Sequence, residues 1–128
     1  MPEPVLFVED DDSLRTTIAR HLRLRGIAVR EASSAEEARE ELDGGLHPSL
    51  VLLDLNLPGD TGWALLRDGP LADATRPPVV IVSAIPVSQG QLAAHRVTGY
   101  LPKPFPLETL VATVERLLQP PQDAQEPT

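Results

Sequence analysis

Apolar residues in this chain gather into short unbroken runs instead of alternating with polar ones. Three runs stand out: "VLFV" at 5–8, "LVLLDL" at 50–55 and "VVIV" at 79–82. Runs of this length, rich in Val, Ile and Leu, fit strands covered on both faces, as in a parallel sheet. Two weaker runs complete the set, "IAVRE" at 27–31 after Gly26 and "GYL" at 99–101 before "PKPF". Between the runs the apolar period becomes helical. From Ser13 to Arg25, Leu14, Ile18, Leu22 and Leu24 lie near one face, and Gly26 stops the helix. "SSAEEAREELDGG" at 33–45 opens with two overlapping capping boxes, Ser33 with Glu36 and Ser34 with Glu37, and closes in Gly-Gly. "PLETLVATVERLL" at 106–118 sets Leu107, Leu110, Val111, Val114 and Leu117 or Leu118 on one stripe. Segments 62–68 and 88–96 predict short helices.

Strand and helix thus alternate along the whole chain. That order predicts an α/β fold, a doubly wound parallel sheet with right-handed crossovers. Ligands of such sheets sit beyond the carboxyl ends of the strands. Residues 1–119 read as one domain. Residues 120–128 are rich in Pro and Gln, lack periodicity, and predict a disordered tail or the start of a linker.

Composition narrows the function classes. With 128 residues, 41% of them hydrophobic, the chain can build one core. Nineteen acidic residues against 11 basic ones give a formal charge of −8. That argues against direct binding of nucleic acid or an anionic membrane, which both call for a basic patch. The absence of cysteine excludes disulfides, thiolate metal sites and a thiol nucleophile. "MPEPVLFVED" has neither the basic nor the long apolar region of a signal peptide, and no run could span a bilayer. The expected location is the cytoplasm.

The chemistry lies at the strand ends. The first run ends in Glu9-Asp10, the third in Asp54, the fourth in Ser83, and the fifth close to Lys103. In one parallel sheet these ends converge on one rim. Clustered carboxylates without His or Cys suit a hard, oxygen-seeking cation, and Mg²⁺ best of these. A lysine and a hydroxyl opposite are groups to place around a phosphoryl group. An aspartate in such a site can act as a nucleophile and form an acyl phosphate. Asp11 and Asp12 fit a different role, as acids at a helix N-terminus. Each residue alone has a plain reading as a cap, a turn residue or a surface charge. Their co-occurrence at four strand ends is what points to a site. His21, His47 and His95, and Trp63 after Gly62, read as surface or packing residues.

"VLFVEDDDSLR", "LVLLDLNLPGDTGW", "VVIVSA" and "GYLPKPF", in that order, resemble the receiver domain of two-component response regulators. The resemblance covers residues 4–118. It implies a flavodoxin-like fold, a five-stranded sheet of order 2-1-3-4-5. It implies that Asp54 accepts a phosphoryl group from a histidine kinase or a histidine phosphotransfer protein. Asp10, Asp54 and the Asn56 backbone carbonyl then bind Mg²⁺, with Glu9 acting through water. Lys103 contacts the phosphoryl group. Ser83 turns toward it on activation, and Tyr100 swings inward in response. The Lys103–Pro104 bond is implied to be cis. Pro58 and Gly59 match the turn after the phosphoacceptor, and Gly62 matches the entry to the third helix. The resemblance implies a switch that controls an unnamed downstream effector, not an enzyme.

This chain departs from the family pattern after Ser83. Lys103 follows it by 20 positions, a shorter step than usual, and Pro86 and Gly90 weaken helix formation there. A short or irregular fourth helix is expected. Ile85, apolar two residues after Ser83 at a position that in the family helps govern water access to the phosphoryl group, implies slow or moderate self-dephosphorylation. Three rivals fit less well. An aspartate-based phosphatase wants a second acid where Asn56 stands. A flavodoxin-like cofactor binder wants a phosphate-binding loop rich in Ser, Thr and Gly after the first strand. A pseudo-receiver that never takes phosphate has no use for the intact set Asp10, Asp54, Ser83 and Lys103.

Overall fold

A computed structural model describes residues 3–59, 61–73 and 75–119, so the expected tail at 120–128 lies outside the described residues. Five strands, β1 (Val5–Val8), β2 (Val29–Ala32), β3 (Leu50–Leu53), β4 (Val79–Ser83) and β5 (Gly99–Pro102), alternate with five helices. The helices are α1 (Asp12–Leu24), α2 (Ala35–Asp43), α3 (Gly62–Arg67), α4 (Gln89–Ala94) and α5 (Leu107–Leu118). All strand pairs are parallel, in the order β2-β1-β3-β4-β5. The expected α/β, flavodoxin-like fold is therefore the observed one.

The unbroken apolar runs are explained by cover on both faces. Alternate residues of each inner strand point opposite ways. Leu6, Val8, Val51, Leu53, Val79 and Ile81 join one core with Ala35, Ala38 and Leu65 from α2 and α3. Val5, Phe7, Leu50, Leu52, Val80 and Val82 join the other, with Ile18 and Leu22 from α1 and Leu110, Val111 and Val114 from α5. Each large apolar side chain buried this way contributes roughly 1.5–3 kcal/mol.

Several local expectations are corrected. Leu24 is 74% exposed. It stands two residues past buried Leu22, and that step carries it roughly 200° around the helix. β2 begins at Val29, not Ile27, because the Ile27 N–H bonds to the Leu22 carbonyl at 3.1 Å and closes the end of α1. That bond, with Gly26 at φ +81°, forms a Schellman motif. At α2 neither capping box forms as read. Ser34 caps the helix by accepting the Glu37 N–H at 3.0 Å, while the Glu37 carboxylate reaches back to the Ser33 N–H at 2.7 Å. A short 3₁₀ turn at Pro70–Ala72 was not anticipated.

The fourth helix is short, as expected: six residues, none of them buried. Pro86 stays outside it. A Ser88–Gln91 capping box starts it, a signal overlooked in the sequence. Its far end is held from elsewhere. Arg76, ahead of β4, donates to the carbonyls of His95 and Arg96. Trp63 of α3 stacks on His95, with ring centroids 4.2 Å apart.

Candidate functional site

Backbone hydrogen bonds align the strand ends that carry polar residues. The Asp54 N–H donates to the Val8 carbonyl at 3.0 Å, and the Glu9 N–H to the Ala32 carbonyl at 3.0 Å. The Lys103 N–H donates to the Ser83 carbonyl at 2.9 Å. The sheet thereby brings Glu9, Asp10, Asp54, Ser83 and Lys103 to one rim. One carboxylate oxygen each from Glu9, Asp10 and Asp54 lie within 4.8 Å of one another.

Glu9 and Asp54 are buried and Asp10 is exposed. The Lys103 ammonium bridges the two buried acids, 2.6 Å from Glu9 Oε1 and 3.1 Å from Asp54 Oδ2. Lys103 is the only lysine in the chain. Asp54 Oδ1 accepts the Asn56 N–H at 3.0 Å, and Glu9 Oε2 accepts the Asp11 N–H at 3.2 Å. Burial raises the Glu9 pKa, the Lys103 hydrogen bond lowers it, and the Asp54 charge raises it again; it settles at about 7. Burial lowers the Lys103 pKa, but its bonds to Glu9 and Asp54 outweigh that and raise it above the ordinary lysine value.

This donor set fits a hard divalent cation. It is all oxygen, and three carboxylates against one ammonium leave an excess of two negative charges when ionised. The sequence reading put Glu9 toward the cation and missed its direct ion pair with Lys103. Nothing local to either residue encodes that pair, because they stand 94 positions apart.

Ser83 is fully buried, and its hydroxyl accepts the Ile85 N–H at 3.0 Å. Ile85 itself is 46% exposed. Tyr100, paired with Ile81 across the sheet, packs half-buried against the core beneath α2 and α3. It also lines a groove of about 310 Å³ with Leu92 and Val97. The Lys103–Pro104 peptide is cis. Asp11 caps α1 by accepting the Leu14 N–H at 3.0 Å, and Asp12 is in its first turn, so both acids stand at a helix end. His21 and His47 are exposed. A cleft of about 570 Å³ lies at the opposite rim between His47, Pro70 and Pro78. Of the three acids, only Asp10 faces solvent at the rim.

Residues 5–115 match the model of the response regulator receiver domain. A transcriptional activator protein, PfeR of Pseudomonas aeruginosa, is 39% identical over 93% of this chain and 39% of its own length. The receiver domain of the hybrid histidine kinase CckA is 35% identical and superposes with a TM-score of 0.73, covering 91% of this chain and 99% of that one. The non-phosphorylated HemR receiver domain from Leptospira biflexa is 28% identical with a TM-score of 0.81, covering 94% and 97%. The chain spans about half or less of the curated relatives it matches. No helix among the described residues is long and apolar enough to cross a membrane. The match runs from the first strand into the last helix, and the chain belongs to the response regulator receiver domain family.

Proposed function

We propose that this domain is a phosphoacceptor switch. Asp54 takes a phosphoryl group from a phosphohistidine of a histidine kinase or histidine phosphotransfer protein, and the modified domain then controls a downstream effector in the cytoplasm. The observation that carries this reading is the way Asp54 is held. Its Oδ1 is fixed by the Asn56 N–H, while its Oδ2 shares the Lys103 ammonium with Glu9. A carboxylate held on two sides at a strand end is an oriented nucleophile.

Asp10, Asp54 and the Asn56 carbonyl would hold Mg²⁺, with Glu9 reaching it through water. When bound, Mg²⁺ supplies positive charge to the phosphoryl oxygens. An Asp54 carboxylate oxygen forms a bond to phosphorus as the donor's P–N bond breaks, and the electron pair stays on the departing imidazole. Asp54 is buried beside Lys103, so the ammonium moves from Oδ2 to the incoming phosphoryl oxygens. The Ser83 hydroxyl leaves the Ile85 N–H and donates to the same group. Tyr100 follows into the space beside Ser83. The product carries roughly −1.5 to −2 charges at a site that carried one. The domain assists its own phosphorylation and slow dephosphorylation but turns over no separate substrate, and it binds neither nucleic acid nor membrane.

Acetyl phosphate tests this directly. With Mg²⁺, intact-mass measurement is expected to show one phosphoryl adduct on the wild type and none on Asp54→Asn. An unmodified wild type, with this donor and with a cognate kinase, overturns the reading in favour of a phosphorylation-independent interaction module.

A further inference from the structure

Arg15, near the start of α1, is not one of the rim residues, yet it is bonded to the backbone that carries them. Its side chain is 13% exposed. All three guanidinium nitrogens are engaged. Nη1 donates to the Glu9 carbonyl at 2.7 Å, Nη2 to Asp12 Oδ1 at 2.7 Å, and Nε to Glu31 Oε1 at 3.2 Å. Glu31 lies on β2 and is braced in turn by Arg23, whose Nη1 donates to Oε2 at 3.0 Å. Arg23 is tied to the same strand through the Val29 carbonyl at 2.8 Å. A chain of charged groups thus runs from the edge strand to the peptide between Glu9 and Asp10.

That peptide is planar, so fixing the Glu9 carbonyl also fixes the Asp10 nitrogen and the start of its Cα. On the other side, Asp11 is pinned by its N–H to Glu9 Oε2 and by its carboxylate to Leu14. The Asp10 carboxylate itself makes no hydrogen bond or ion pair among the described residues. Of the three acids, it alone has its place set only by backbone. We propose that Arg15 is a positioning residue of the cation site. Its clamp on the Glu9 carbonyl, braced by Glu31, holds the Asp10 carboxylate within reach of Glu9 and Asp54. The proposal rests on the reading that these acids bind Mg²⁺.

A purely electrostatic role makes the opposite forecast. A guanidinium near the site repels a cation, so removing its charge would tighten binding. Arg15→Met removes charge and clamp together. Arg15→Lys keeps the charge but cannot present three donors in a planar fork. Mg²⁺ affinity of the EDTA-stripped full chain, read by titration calorimetry, is expected to weaken about 10- to 100-fold in both variants. Glu31→Gln, which frees one arm of the brace, should fall between them and the wild type. Without Mg²⁺, hydrogen exchange of the Asp11 amide, which is bonded to Glu9 Oε2, should quicken in Arg15→Lys, with α5 amides unchanged. Wild-type affinity in Arg15→Lys, tighter binding in Arg15→Met, or exchange that rises equally across the chain would overturn the proposal while leaving the phosphoacceptor reading intact. A wild type that binds no Mg²⁺ overturns the cation site and Arg15's role with it.

Discussion

Glu9 shows how much one residue's setting can change its chemistry. A carboxyl that titrates near 4.5 in the unfolded chain titrates at about 7 in the folded one, because it is buried and faces Asp54. Between those values the folded state holds the proton and the unfolded state releases it. The contribution of Glu9 to the stability of the metal-free domain is therefore full below about pH 4.5 and falls away as pH rises to about 7. The loss amounts to about 3 kcal/mol at most. Urea unfolding in EDTA at pH 5 and pH 7.5 should show the fall, and Glu9→Gln should remove most of it. That Glu9, Asp10, Asp54, Ser83 and Lys103 gather at one rim was legible in the sequence, since strand ends in a parallel sheet must converge. Their pairings were not. Arg15 and Glu31 look like ordinary surface charges until the fold sets their heads together, and the same holds for the stack of Trp63 on His95.

Elements meet at places where one atom decides the fit. A Cβ on Gly62 would lie 2.5 Å from the Asp54 carbonyl oxygen and 3.0 Å from the Leu55 Cα. α3 therefore starts flush against the backbone at Asp54, just past the end of β3. Gly62→Ala should cost about 1–3 kcal/mol in urea unfolding, through overpacking, and shift Asp54 with it. Arg96 presents the reverse case. It ends α4 in a Schellman motif at φ +53°, a conformation better suited to glycine. Burial and the neighbouring Arg96 charge also hold the Arg76 pKa below its ordinary value. Arg96→Gly should stabilise the domain by about 0.5–1 kcal/mol in the same assay, by relieving backbone strain. Periodicity and turn residues foretold helix positions well, but not which cap forms. At α2 the sequence offers two serines and two glutamates in adjacent registers, and the cap that forms joins Ser34 to the Glu37 N–H while the Glu37 carboxylate goes to Ser33.

At the scale of the molecule, cover is uneven across the sheet. The inner strands β1, β3 and β4 are buried throughout. β5 is at most half-buried and α4 buries no residue. Opening free energy follows buried contact, so amides of α4 and β5 should exchange earliest and those of β1 and β3 last. Native-state hydrogen exchange resolved by residue will show whether that gradient holds. Lys103 stands on the loosely covered side and reaches across to the tightly covered one. As the chain's only lysine, it is also the only side-chain amine within residues 1–128. Reductive methylation with labelled formaldehyde would keep its charge and place one spectroscopic label at the centre of the acid cluster. Apart from any α-amino signal, every labelled methyl resonance from such a sample would come from the rim itself.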